Sequence, residues 1–473
     1  MSPDYRTEKD SMGEMKVPAN ALYGPQTQRA VENFPISGEP MPKAFIHALG
    51  FLKMVAAKVN QDLGLLPVAL AGPLQQAAKE VTDGKWDAEF PIDVFQTGSG
   101  TSTNMNANEV IARRAGQIAK GDVVIHPNDH VNLGQSSNDV IPAVLHLSAA
   151  IQIHQELLPA LRHLADTLEK KAREFDGVIK SGRTHLMDAT PIRLGQEFSG
   201  YASQVRHGIA RVEAVMPDLC ELAIGGTAVG TGLNTHPEFA RRVAAECAKH
   251  AKLPFVEAPN HFEAQGAQDG ALWASAALNS VAASLMKIAG DVRLMNSGPG
   301  CGLAEIALPA IQPGSSIMPG KVNPVICEAV IMVGAQVTGH HVAITLGAQL
   351  GQLDLNTMLP LIAKDLLESV HLLTAASRVF ADKALAGTIA NEETCRAYVE
   401  RSPSMATALN PLIGYDKAAE IAKRSFKEKR PVRELAREMT KLTPQEIDVA
   451  LDPRRQTEPG LEQAKTPGGA SGA

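Results

Sequence analysis

An all-α fold, with a central bundle of long helices between two smaller helical domains, is what this 473-residue chain predicts from three observations. Two apolar runs recur in alternating steps of three and four residues. A third run, from 329 to 353, contains no Asp, Glu, Lys or Arg. No strand-rich region and no internal repeat competes with them.

Residues 1–137 are irregular in texture. Short helical stretches alternate with loops such as Lys16-Val17-Pro18-Ala19-Asn20 and His126-Pro127-Asn128-Asp129. This part reads as a mostly helical N-terminal domain. Residues 138–390 read as the bundle. Leu147, Ile151, His154, Leu158, Leu161, Ala165, Leu168 and Ala172 trace the seam of one long helix, which Pro159 is expected to bend. Ala274, Leu278, Val281, Leu285, Ile288 and Val292 trace a second. Its other faces are rich in Ala and Ser, so burial nearly all round is expected. The uncharged run after Pro324 is a third helix, and 361–380 a fourth. The uncharged run has the length of a membrane span. Its Gln, His and Gly residues fit a helix buried among helices better, so no membrane partner is expected. Helices apolar on several faces need more partners than one chain supplies, which implies a homo-oligomer. Residues 391–460 read as a small helical C-terminal domain. In it Thr443-Pro444-Gln445-Glu446 spells an N-cap, a first-turn proline and an acidic first turn. Residues 461–473 are Gly- and Pro-rich, and disorder is expected there.

A formal charge of -6 and an aromatic content of 4% exclude a nucleic-acid binder built on basic and stacking surfaces. Five scattered cysteines without a CxxC pair fit reduced thiols. The first residues, Met1-Ser2-Pro3-Asp4-Tyr5-Arg6, contain no apolar run. Both features point to the cytoplasm. No metal or cofactor is expected. His126 and His130 have ligand-like spacing, but Pro127 disrupts the helix that would align them. His340 and His341 are adjacent and face different ways on a helix.

Four segments concentrate small hydrogen-bonding side chains. Gly314-Ser315-Ser316-Ile317-Met318-Pro319-Gly320-Lys321-Val322-Asn323-Pro324 has two glycines and two prolines, which forbid regular structure. It also offers two hydroxyls, an ammonium and an amide, and so reads as a lid that closes on an anion. Gly98-Ser99-Gly100-Thr101 and Gln135-Ser136-Ser137-Asn138 stand before helix-like stretches. Helix capping and anion binding use the same orphan N–H groups there. Gly182-Arg183-Thr184-His185 adds an imidazole. Donors without bulk suit a small carboxylate.

The lid sequence GSSIMPGKVNP closely resembles the signature of the fumarase/aspartase superfamily. The resemblance runs from Asp10-Ser11-Met12-Gly13-Glu14 to Ile413-Gly414-Tyr415-Asp416-Lys417-Ala418-Ala419-Glu420. Ser136-Ser137-Asn138, the stretch Gly225-Gly226-Thr227-Ala228-Val229-Gly230-Thr231-Gly232-Leu233-Asn234-Thr235-His236, and Cys327-Glu328-Ala329 are similar to the class II fumarase branch. Asn323-Pro324-Val325-Ile326 is nearer the aspartase spelling, and Gly300 stands where the superfamily usually has Arg.

The resemblance implies reversible anti addition of water to fumarate, giving L-malate, without a cofactor. In the reverse direction the proton lost is barely acidic, and a dianionic aci-carboxylate must be stabilised. By resemblance, Ser315 is the base and His185, through a bound water, serves the departing hydroxyl. Glu328 orients His185, and Lys321 and Asn323 stabilise the anion. Ser99, Gly100, Thr101, Ser136, Ser137, Asn138, Thr184 and Ser316 hold the two carboxylates. His126, Pro127, Asn128 and Asp129 resemble a second, non-catalytic dicarboxylate site. The superfamily also implies a homotetramer whose active sites each draw on three subunits. Ammonia elimination from L-aspartate is the same-chemistry alternative. A catalytically silent structural or metabolite-binding relative is the alternative of another class.

Overall fold

The structure is a computed structural model, and it describes residues 4–119 and 124–460. The expected disorder of 461–473 lies outside the described residues. Helices dominate, and the only sheets among the described residues are four two-stranded ones. Two of these are antiparallel hairpins, one in the part read as irregular and one inside the stretch read as helix bundle. One pairs β1 (Tyr5–Asp10) with β2 (Gly13–Pro18), Tyr5 opposite Pro18. The other pairs β3 (Ile179–Thr184) with β4 (Met187–Arg193).

The chain divides into two compact units. The first comprises Met1–Ala160, Gly208–Ala283 and Val333–Ala375. Helices α1 (Pro25–Asn33), α2 (Lys43–Asp62), α3 (Val68–Thr82), α4 (Thr101–Ala119) and α5 (Ser137–Gln152) belong to it. Phe45, Leu49, Leu52, Leu74, Ile111 and Ile141 are fully buried in its core. At about 25 cal/mol per Å² of apolar area, such side chains contribute roughly 2–3 kcal/mol each before conformational entropy is subtracted. The second unit comprises Leu161–His207, Ser284–Met332 and Ala376–Ala473. Its C-terminal part packs Leu409, Ile421, Leu435 and Ile447 around one cluster.

The first predicted long helix is α5 followed by α6 (Leu158–Glu174), joined by a wide turn at Ile153–Leu157. Pro159 has no N–H to give the carbonyl four residues back, and the wide turn immediately before α6 accommodates that loss. The extra residue in that turn moves the seam. Ile153 and Leu157 are buried, whereas Ile151 is half-buried and His154 exposed. The second seam is buried at all six predicted positions of the helix Asp269–Met295. Burial all round does not hold within one chain, because Trp273 and Leu294 on that helix are exposed. The helix that carries most of the uncharged run, Val325–Gln349, also departs from expectation. Met332, Val342 and Leu346 are more than half exposed. The fourth helix runs Leu359–Val379. Thr443 and Glu446 form the expected reciprocal cap of the helix Pro444–Ala450.

An acid-sensitive ion pair ties α3 to α4. Arg114 donates to both carboxylate oxygens of Glu80, at 2.6 and 3.1 Å, and Trp86 Nε1 donates at 2.9 Å. The guanidinium, helped by the indole N–H and opposed by burial, holds the Glu80 carboxyl at about 2, below its ordinary 4.5. The depressed native value means that the unfolded chain binds the proton more readily. The stabilisation is therefore complete above pH 4.5 and lost as pH falls towards 2. Glu80→Gln is expected to be less stable than the parent in urea at pH 7, with the gap narrowing at pH 3. An equal gap at both values would refute the assignment.

Candidate active site

The first unit builds one donor surface. Ser136 caps α5 by accepting the Asn138 N–H at 3.2 Å, while the Asp139 carboxylate accepts the Ser136 N–H at 2.9 Å. The cap aims Ser137 at Thr101, the first residue of α4. Thr101 Oγ1 lies 2.7 Å from Ser137 Oγ and 2.8 Å from Ser99 Oγ. Ser99, Thr101 and Ser137 thus form a continuous hydroxyl chain. Gly100 takes φ +71° beneath it, and its carbonyl accepts the Asn104 N–H that opens α4. Asn138 Nδ2 is spent on the Ala228 carbonyl at 2.8 Å. The buried Asp139 also accepts from the N–H groups of Gly225 and Thr227, at 2.8 and 3.0 Å. The glycine-rich loop is thereby fastened to the cap.

In the second unit the lid, 314–324, is closed at its base. The Gly314 N–H donates to the Lys321 carbonyl, and Asn323 Nδ2 donates to the Gly314 carbonyl at 2.7 Å. Ser315 Oγ accepts two backbone N–H groups, from Ile317 at 3.2 Å and Met318 at 3.0 Å. Two donors on one hydroxyl oxygen favour its anionic form. Ser316 and Lys321 are exposed.

His185 is at the tip of the β3–β4 hairpin. Thr184 pairs with Met187, leaving His185 and Leu186 as a two-residue turn with φ +56° and +60°. Such turns favour Asn and Gly, so a His-Leu pair stores strain there. A buried ion cluster holds the hairpin. Glu305, fully buried, accepts from Arg183 Nη1 at 2.7 Å and faces Lys180 Nζ at 3.3 Å. Lys180 reaches Glu197 at 3.0 Å. Within one chain Glu328 lies 3.9 Å from Arg293, and no hydrogen bond joins it to His185. Thr184 and His185 are exposed.

The remaining motif forms a wide turn, Pro127–Val131. His126 Nδ1 accepts the N–H groups of Asn128 and Asp129, at 3.3 and 3.1 Å. His126, Pro127 and Asn128 line a cavity of about 540 Å³ with Lys9, Glu109 and Arg113. The Asp129 side chain is 75% exposed, with Oδ2 3.2 Å from His126 Nδ1, and does not line the cavity.

Sequence reasoning missed the Glu305 cluster, Asp139 and Lys53. Lys53 gave a signal: it is the one charged residue on an α2 face of Leu49, Leu52, Val55 and Ala56. Burial pushes its ammonium down to about 7, with the Asp139 charge opposing the shift. Also missed was a group suited to a cation, His340, Asp365 and Glu368. The Lys364 ammonium, 2.9 Å from Glu368 and 3.4 Å from Asp365, supplies the positive charge there. A larger cavity of about 730 Å³, in the second unit, includes none of the motif residues.

The sequence signature of a family described as Lyase matches residues 13–339, and one described as Fumarase C C-terminus matches 405–458. The chain is 53% identical to the class II fumarate hydratase of Xylella fastidiosa strain Temecula1, over 99% of this chain and 98% of that protein. It is 55% identical to the class II fumarate hydratase of Halobacterium salinarum, over 98% and 99%. Among solved structures, the class II fumarase of Schistosoma mansoni superposes with a TM-score of 0.93 at 41% identity, covering 96% of this chain and 99% of that one. A fumarate lyase:delta crystallin of Brucella melitensis gives 0.92 at 43%, covering 96% and 100%. With whole-length likeness at these levels, the chain belongs to the class II fumarases of the lyase family.

Proposed function

We propose that the protein hydrates fumarate reversibly to L-malate. The observation that carries this reading is the cradle of Ser315 Oγ in the lid, two backbone N–H groups aimed at one oxygen. It suits a serine that must act as a base. In the dehydration direction the Ser315 alkoxide takes the proton from the carbon beside a carboxylate. The electron pair moves into that carboxylate and forms the aci-dianion. The C–O bond then breaks, and His185 delivers a proton through a bound water to the departing hydroxyl. Lys321 and Asn323 stabilise the dianion, Glu328 charges His185, and the chain Ser99–Thr101–Ser137 with Gly100, Ser136, Asn138, Thr184 and Ser316 grips the carboxylates. The turn at His126, Pro127 and Asn128, with Asp129, serves as a second dicarboxylate site.

The working form is a cytoplasmic homotetramer whose active sites each draw on three subunits. Two facts support it. His185 and most of the lid stand exposed in the single chain. The apolar helix Val325–Gln349 is left largely uncovered. The three-part division at 137 and 390 accompanies this reading. Incubating the protein with L-malate and, separately, L-aspartate, while following the fumarate double bond by ultraviolet absorbance, tests the proposal. Fumarate from malate alone is expected. Rapid release from aspartate with none from malate would make the protein an aspartase, and neither signal would leave a silent relative.

A further inference from the structure

The least expected side chain in the first unit is Lys53. It is fully buried on the core face of α2, where a lysine is rare unless it is paired. Its Nζ donates to Asn132 Oδ1 at 2.9 Å and Gln135 Oε1 at 3.1 Å. Asn132 Oδ1 is shared with the side-chain amides of Asn104 and Asn108 on α4, both at 3.2 Å. Asn132 Nδ2 donates to the Gln135 carbonyl, Gln135 Nε2 donates to the carbonyls of Val131 and Leu133, and Asn60 Nδ2 also donates to that of Leu133. Side chains from two helices therefore fix segment 131–135, and the ammonium is its central donor. The segment has the wide turn at His126 on one side and the Ser136 cap on the other.

We infer that Lys53 is a positioning residue for substrate binding: by holding Asn132 and Gln135 it sets the Ser136-Ser137-Asn138 cap, and through the same segment it links that cap to the His126 turn. The inference rests on the hydratase reading above. Burying a charge is costly unless it is hydrogen-bonded, and a helix core needs no ammonium for packing. The ammonium hydrogen-bonds to none of Ser99, Thr101 and Ser137, so its effect passes through the loop and through the charge of Asp139, whose carboxylate closes the same cap. Ser137 and Thr101 grip carboxylates in ground and transition states alike, so a displaced cap weakens both equally.

The test is steady-state kinetics of Lys53→Met, which keeps the length and removes the charge. KM for L-malate is expected to rise about tenfold, the worth of a hydrogen bond to a charged group, with kcat within about threefold. An unchanged KM would overturn the inference. So would a fall in kcat at unchanged KM, which is the mark of fewer competent molecules. If Lys53→Met fails to fold, Gln135→Leu decides, because it keeps the lysine and removes one acceptor. A raised KM supports the inference, and a parental KM overturns it. An unmodified protein idle towards malate would sink the hydratase reading and the inference together. An active parent with unaltered variants sinks the inference alone.

Discussion

Ser315→Ala is expected to lower kcat for L-malate dehydration by about 10²–10⁴-fold while changing KM little. The proton leaves carbon only in the transition state, so the base contributes there and not in ground-state binding. A serine hydroxyl is a poor base at neutral pH and needs help to lose its own proton. The lid provides this in two ways. The Ile317 and Met318 N–H groups converge on Ser315 Oγ, and Lys321 brings a positive charge to the same loop. Alanine removes the oxygen and leaves the base of the lid tied by Gly314–Lys321 and Asn323–Gly314 hydrogen bonds. The variant should therefore fold with parental thermal stability and still bind a dicarboxylate. Parental kcat in a folded Ser315→Ala protein would remove Ser315 from the chemistry, and stopped assays with deuterated malate would then be needed to find the base.

Much of this molecule is written locally. A capping box spans one turn of chain, so Thr443 with Glu446 was readable, as was the N-terminal position of Ser136. The seam from Ala274 to Val292 was readable because a straight helix keeps its period. The slip at Ile153–Leu157 was not, because a wide turn inserts one residue without any composition signal of its own. The hairpin at His185 was hidden for a different reason. Two-residue turns normally announce themselves with Asn or Gly, and here the positions carry His and Leu. Glu305 lies far along the chain from Lys180 and Arg183, and nothing local says that they meet. The helix Val325–Gln349 was expected from its composition to lie buried among helices, and the single chain does not bury it so. Met332, Val342 and Leu346 stay more than half exposed in the single chain, because composition tells how apolar a helix is and not what packs on it.

His185→Asn is expected to cost about 10²–10³-fold in kcat, again with little change in KM. The choice of asparagine follows from the backbone. At φ +56° most side chains are strained, whereas asparagine tolerates the left-handed region well, so the hairpin tip should survive the exchange. The anchor below it is untouched: Arg183 still meets the buried Glu305 at 2.7 Å, and Lys180 still bridges Glu305 and Glu197. Asparagine keeps hydrogen-bonding capacity but cannot exchange a proton near neutrality, so the variant isolates proton transfer from positioning. Glu305→Gln supplies the contrasting case. It leaves the imidazole in place and removes the charge that the buried Lys180 and half-buried Arg183 face, so it should lower stability as well as activity. A His185→Asn enzyme that keeps parental kcat, with its hairpin intact by circular dichroism and thermal unfolding, would show that the departing hydroxyl takes its proton from elsewhere. The strained tip would then serve only to place Thr184 against a carboxylate.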